Sequence, residues 1–427
     1  MEQKKYSFDT LQVHAGQCPD PTTGASTLPI YQSTAYVYES TEKAASLFAL
    51  ESAGNIYTRL SNPTTDVFEQ RIAALEGGVA AVATSSGMSA QFTALATIAS
   101  AGDNIVTTSY LYGGTFNAFR HVFPRLGIDV RFADGNDPES IESLIDDKTK
   151  AIYLETIGNP EFSIPDFEPI VEIARRKGVV VFCDNTFGCG GYFCRPLEWG
   201  VNIVTHSATK WIGGHANSMG GVMVDGGTFD WSGGKYPLIS EPVESYHGVN
   251  FLERFGAVAF AVKMRCEGLR DFGACQSPFN AFLLAQGLET LSLRAQRSAD
   301  NALALAEWLQ SHPKVESVNY PGLEGNKYKA LADKYLQNGY GCVLSFRVKG
   351  GMAEASKVID NVKLLYHVAN VGDNKSLIIN PASTTHSQLS EAEMISAGVY
   401  PNLIRISAGI ENIEDIKADL DAALSAL

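Results

Sequence analysis

Between about residue 79 and residue 225, short β-rich runs alternate with amphipathic ones. Residues 79–84 read as a strand, and 88–100 as the helix that follows it. Further strands are predicted over 105–108, 151–155, 179–182, 203–205 and 221–224. The run 179–182 is almost wholly apolar, as a strand covered on both faces should be. Asp137-Pro138-Glu139 reads as a helix start: a cap, a proline in the first turn, and an acid near the positive end. Ile170, Val171, Ile173 and Ala174 share one helical face, and that helix is predicted to stop at Arg175-Arg176-Lys177-Gly178. Alternation of this kind predicts an α/β fold with a mostly parallel sheet and helices on both faces.

After about residue 265 the pattern changes. A long helix-prone stretch covers 280–310, strands are predicted over 315–319 and 343–348, and a helix over 353–361. These describe a smaller α+β C-terminal domain. The first 60 or so residues hold turn formers and aromatics with little periodicity, and read as an arm that needs another surface for its burial. The expected organisation is an arm over 1–60, a large domain over 61–265 and a small domain over 266–427, with no internal repeats. A chain of 427 residues, 45% hydrophobic, is long enough for two cores.

Charge and cysteine usage narrow the partners. A net charge of −14 without a long Lys/Arg run argues against nucleic acid. No apolar run approaches the ~20 residues that span a bilayer. The opening MEQKKYSFDT has no apolar segment of the secretory kind, so a cytoplasmic protein is expected. The seven cysteines include no C-x-x-C pair and no zinc spacing, so reduced thiols and no metal are expected.

Three segments carry candidate chemistry. Ser207-Ala208-Thr209-Lys210 follows an apolar strand and precedes the glycine-rich Trp211-Ile212-Gly213-Gly214. Burial would lower the pKa of such a lysine toward the neutral amine that attacks a carbonyl. Nearby hydroxyls could bind a phosphate. Asp184 ends the apolar run Val181-Phe182-Cys183, at the strand edge where open α/β sheets bind ligands. A carboxylate there calls for a cation, and a protonated pyridine nitrogen is one. Thr84-Ser85-Ser86-Gly87-Met88-Ser89 joins a strand to a helix, so backbone N–H groups face outward as a phosphate cup. Each segment alone also fits a plain structural role: a surface lysine, a turn-capping aspartate, an ordinary strand–helix turn. Together they describe one pyridoxal 5′-phosphate (PLP) site, with Lys210 as Schiff-base lysine. The S-x-x-K string also occurs in penicillin-binding serine enzymes, but K-T-G and S-D-N are absent, as are G-x-S-x-G, Walker A and G-x-G-x-x-G strings.

With these motifs in place, the sequence resembles the Cys/Met-metabolism family of PLP enzymes over nearly its whole length, from Thr10 onward. The resemblance implies an aspartate-aminotransferase-like, fold type I architecture: a large PLP domain, a smaller C-terminal domain and an N-terminal arm crossing to a neighbour. It implies catalytic dimers, usually paired into tetramers. By the same resemblance, Lys210 carries the cofactor, Asp184 faces the pyridine nitrogen, and Asn159 lies near the ring hydroxyl and the substrate. Tyr112, in Leu111-Tyr112-Gly113-Gly114, stacks on the ring and relays protons. Ser86, Gly87, Met88, Ser207 and Thr209 hold the phosphate, with Tyr57 and Arg59 reaching a neighbouring subunit's phosphate. Arg405 clamps the substrate α-carboxylate, a bidentate task suited to a guanidinium. Ser383 lies in a substrate-side loop.

Gly114, the stretch 369–375, Ser245-Tyr246-His247-Gly248 and residues 269–274 resemble the family's O-acetylhomoserine sulfhydrylases. That implies replacement of acetate by sulfide or a thiol on an amino-acid substrate, giving L-homocysteine. A same-family γ-lyase cleaving methionine or cystathionine, or use of another O-acylhomoserine, stays open. Asn380, where the family usually has His, and Ala216-Asn217-Ser218-Met219 are departures near ligand loops.

Overall fold

A computed structural model describes residues 6–385, 394 and 398–427. Its largest sheet has seven strands: β1 Ala80–Thr84, β2 Asn104–Thr108, β3 Asp129–Ala133, β4 Thr149–Glu155, β5 Val180–Asp184, β6 Ile203–Ser207 and β7 Gly221–Asp225. Their order across the sheet is β1-β7-β6-β5-β4-β2-β3. The pairs from β6 through to β3 are parallel, while β7 runs antiparallel to both β6 and β1. The sheet is therefore mostly parallel, in agreement with the alternating pattern of the sequence.

Strand alternation explains why both faces are covered. Val106, Ile152, Val181 and Val204 share one core with Phe68, Ile72 and Leu75 of the helix Pro63–Glu76. Their neighbours Ile105, Tyr153, Phe182 and Ile203 join the opposite core with Phe119, Phe260 and Met264. Such two-sided burial is what the near-continuous apolar runs require.

A short hairpin follows, β8 Pro242–Val243 with β9 Val249–Asn250. A second sheet then forms from β10 Val315–Asn319, β11 Val343–Val348, β12 Tyr366–His367, β13 Leu377–Ile379 and β14 Leu403–Ser407, in the order β10-β11-β14-β13-β12. Its own core joins Leu344, Phe346, Ile404 and Ile406 to Leu305, Leu309 and Leu420.

Three local expectations change. The helix-prone stretch 280–310 is two helices, Pro278–Glu289 and Leu291–Ser311, broken at Thr290 (φ −120°, ψ 14°). The break is held by Arg294, whose guanidinium donates to the freed Gly287 carbonyl at 2.5 Å and to Thr290 Oγ1 at 3.2 Å. The helix expected over 88–100 is Gly87–Ala96; the Thr97 hydroxyl donates back to the Thr93 carbonyl at 2.7 Å, a local bond that competes with further helix. The first 60 residues contain helices Phe8–His14 and Thr41–Phe48. The first of them docks on its own chain, where Gln12 donates to Ser292 Oγ at 2.9 Å and accepts from Ser292 N at 3.0 Å. Among the described residues, no helix is long and apolar enough to cross a membrane.

Candidate active site

The carboxyl ends of β1, β4, β5 and β6 lie along one edge of the large sheet, because those strands run in the same direction. A cavity of about 380 Å³ opens there. Ser86, Gly87, Met88, Tyr112, Asn159, Asp184, Ser207, Thr209, Lys210 and Arg405 all line it. Thus residues spread over most of the chain meet at one place.

The cup begins with Ser86, the N-cap of Gly87–Ala96. Its Oγ accepts from Ser89 N at 3.1 Å, and Ser89 Oγ accepts from Ser86 N at 2.9 Å. The first helical turn is so fixed at the cavity, which Ser86, Gly87 and Met88 line. Backbones crowd here. A Cβ on Gly87 would fall 2.7 Å from Ser207 Cα, and one on Gly221 only 2.0 Å from the Ser86 carbonyl oxygen. Glycine at both positions lets Ser207 and the helix start share one cradle, which suits a phosphate. Thr209 is pinned beside it, its Oγ1 accepting from Gly220 N at 3.1 Å.

Lys210 projects into the same cavity and donates to Asn370 Oδ1. Burial, and secondarily the charge of Arg405, push its ammonium down to about 8. Asp184 accepts from Thr186 N at 2.8 Å. Burial pushes its carboxyl up, while the Thr186 bonds and the field of His206 pull the other way. Arg405 is 4% exposed; it donates to Asn159 Oδ1 at 3.2 Å and to the Asn370 carbonyl at 3.3 Å. Neither partner is an acid, which leaves the guanidinium able to receive an anion. Tyr112 caps the short helix Gly113–Asn117, its ring folded over Gly114, where a Cβ would lie 2.5 Å from the ring.

Three expected residues lie apart. Tyr57 and Arg59 are exposed, the Arg59 guanidinium 5.2 Å from the centre of the Tyr57 ring, and neither lines the cavity of its own chain. Ser383 is exposed and also outside the lining; Thr385, two residues on, is within it. Asn380 organises this loop, accepting from Ser383 N at 2.8 Å and donating to the Pro401 and Leu403 carbonyls at 2.8 and 2.9 Å. Sequence reading gave no role to Gln91, Glu155 or Asn370, which also line the cavity. For Glu155 a signal existed: like Asp184, it is an acid ending an apolar strand.

The donor set fits PLP: a backbone cradle for a phosphate, an acid for a ring nitrogen, a partly neutral lysine, and a free guanidinium for a carboxylate. Comparison with known proteins agrees. The chain is 55% identical over 419 residues to the homocysteine synthase of Schizosaccharomyces pombe, covering 98% of each. It is 54% identical to O-acetyl-L-homoserine sulfhydrylase 1 of Thermus thermophilus, covering 98% of this chain and 100% of that one. A crystal structure of a putative O-acetylhomoserine (thiol)-lyase from Campylobacter jejuni, which carries a pyridoxyl-lysine monophosphate, superposes with a TM-score of 0.95 at 41% identity, covering 98% of this chain and 100% of that one. The sequence model of the Cys/Met metabolism PLP-dependent enzymes matches residues 9–425, so the chain belongs to that family and is a PLP-dependent enzyme of fold type I.

Proposed function

We propose that this enzyme is an O-acetyl-L-homoserine sulfhydrylase, replacing acetate by sulfide to give L-homocysteine. The observation that carries the reading is the pairing of Lys210 with an acid-free, buried Arg405 in one cavity, in a chain more than half identical to enzymes named for this reaction. When bound, PLP supplies a carbonyl for the substrate amine and a ring that accepts the electron pair left by a departing proton. Ser86, Gly87, Met88, Ser207 and Thr209 would hold its phosphate, Asp184 its ring nitrogen and Asn159 its ring hydroxyl.

The residues divide the remaining work. Arg405 binds the α-carboxylate and so fixes Cα relative to Lys210. Lys210, as the neutral amine, would take the proton from Cα, pass it on through the Tyr112 relay and, neutral again, take one from Cβ. A flexible stem lets one amine reach both carbons. The Cγ–O bond then breaks, acetate leaves, and sulfide forms the Cγ–S bond before the protons return. Tyr112, which lines the cavity, would lie against the cofactor ring and serve as a proton relay, and Ser383 would belong to the substrate-side loop.

The arm reads as part of a neighbour's site. Tyr57 and Arg59 are exposed, as are Ile30, Tyr31, Val37 and Phe48 around them in sequence. Burial of these groups against a second copy would bring Tyr57 and Arg59 to that copy's phosphate. A dimer, paired into a tetramer, is the assembly proposed, and the cytoplasm the expected compartment.

The test is direct. Purified enzyme receives O-acetylhomoserine with sulfide, and separately methionine alone. Homocysteine from the first mixture supports the reading; methionine cleavage without homocysteine synthesis overturns it.

A further inference from the structure

Two acids end neighbouring strands of the large sheet in register: Glu155 on β4 is paired with Asp184 on β5. Parallel neighbours lie about 4.8 Å apart, with in-register side chains on one face. Both acids line the cavity, and Glu155 is only 7% exposed. Its Oε1 accepts from the backbone N–H of Tyr112 at 2.7 Å. The carboxyl thus holds the segment that carries the tyrosine by its main chain.

We propose that Glu155 is a positioning residue of this site: its carboxyl clamps the main chain of Tyr112 and so sets the tyrosine ring over the cavity. The inference rests on the role given to Tyr112 above.

The charge state follows from the pair. Two carboxylates so close and so poorly hydrated do not both ionise, and the proton stays with the one that has fewer donors. Asp184 receives the N–H of Thr186 and the favourable field of His206. Glu155 receives the Tyr112 N–H. Burial first, and the charge of Asp184 second, push the Glu155 carboxyl well above the usual carboxylate range. Other ionisable groups about it include the Tyr153 phenol, which donates to Gln91 at 2.5 Å, the Cys183 thiol, and Tyr112, Lys210 and Arg405, which line the same cavity. A neutral Glu155 leaves the single negative charge on Asp184, where a protonated ring nitrogen needs it.

The clamp matters because the main chain of this tyrosine is otherwise held through its carbonyl, which accepts from Phe116 N at 2.9 Å. Tyr112 is 50% exposed, and it starts a helix of only five residues, Gly113–Asn117, without a side-chain cap. Its ring lies over Gly114, which has no side chain to restrain it.

The experiment compares Glu155→Gln with Glu155→Ala in the holoenzyme. Glutamine is neutral and keeps a carbonyl oxygen for the Tyr112 N–H; alanine removes the acceptor. Hydrogen exchange at the Tyr112 amide and steady-state kinetics are both measured. Expected for Glu155→Gln are exchange and kcat within about twofold of wild type. Expected for Glu155→Ala are exchange faster by tenfold or more and a kcat reduced about tenfold, with KM changed less. If Glu155→Gln loses as much kcat as Glu155→Ala, the charged form is required and the proposal fails. It fails too if Glu155→Ala keeps the Tyr112 amide protected, or loses protection with turnover unchanged. Should Glu155→Ala not fold, Glu155→Gln still decides. The exchange measurement needs no substrate, so absence of homocysteine synthesis in wild type would count against the proposed reaction and leave the clamp to be judged by exchange.

Discussion

Lys210, Asp184 and Ser207 stand at or just after strand ends of the large sheet and meet in one cavity, whereas Tyr57 and Arg59 lie exposed on the arm and line no part of it. Both sets are expected to serve the same cofactor. The strand-end residues are placed by their own chain: register, a buried backbone and close glycine contacts leave them little freedom. The arm residues are tied locally, Thr58 N donating to the Thr34 carbonyl at 2.9 Å, but their side chains face solvent. A strand end therefore delivers a side chain to its own site, and an arm of this kind delivers one wherever a partner receives it.

The contrast can be broken at either side. The largest effect is expected at Lys210. Lys210→Ala should still bind PLP by its phosphate but lose turnover by about a thousandfold or more. Borohydride reduction of wild type should label Lys210; a label on another lysine would refute the assignment. Asp184→Asn removes the charge from the ring nitrogen and should cost about a hundredfold in kcat. Arg405→Ala deletes the carboxylate clamp, worth about 2 kcal/mol or roughly thirtyfold in kcat/KM, with most of the loss expected in KM.

The pH dependence of cofactor uptake sharpens the strand-end side. In cofactor-free enzyme, Lys210 titrates at about 8, and its neutral form is the nucleophile. The rate of covalent PLP attachment should thus rise about tenfold per pH unit below 8 and level above it. A flat profile from pH 6 to 9 would show that the free amine does not limit attachment. The arm side is tested by mixing two inactive variants, Lys210→Ala and Arg59→Ala. In a mixed dimer one site carries both lesions and the other neither, so activity should return to about half of wild type. A mixed dimer that forms, as a tagged pull-down would show, yet stays inactive would place the whole site within one chain.

Much of this was legible in the sequence where local pattern decides the structure. The apolar run before Asp184, the small residues around Ser86 and Gly87, and the glycines after Lys210 fix strand ends and turns by themselves. What was not legible depends on partners distant in sequence. The first helix is weakly periodic, yet Gln12 anchors it on Ser292. The break at Thr290 exists because Arg294 reaches back to Gly287. Glu155 gains its meaning from standing opposite Asp184, and strand register is written in neither strand alone. Asn370 lies in the stretch 369–375, which resembles the sulfhydrylases, but its contacts with Lys210 and Arg405 need the folded chain.

The reversed direction of β7 carries a consequence for the order of assembly. Because β7 runs against β6, Gly221 lies beside Ser207 at the working edge, and the chain from Lys210 returns there without crossing the sheet. The lysine turn and one wall of the phosphate cradle are therefore neighbours in sequence, closed by a short loop at small entropic cost. Arg405 comes from β14, far later in the chain, and its bond to Asn159 closes one of the longest loops in the molecule. Contacts of low sequence separation form sooner on average. The nascent protein should hence acquire its capacity to capture PLP before its capacity to recognise an amino acid, and early cofactor binding would then stabilise the half-built site while the second sheet docks.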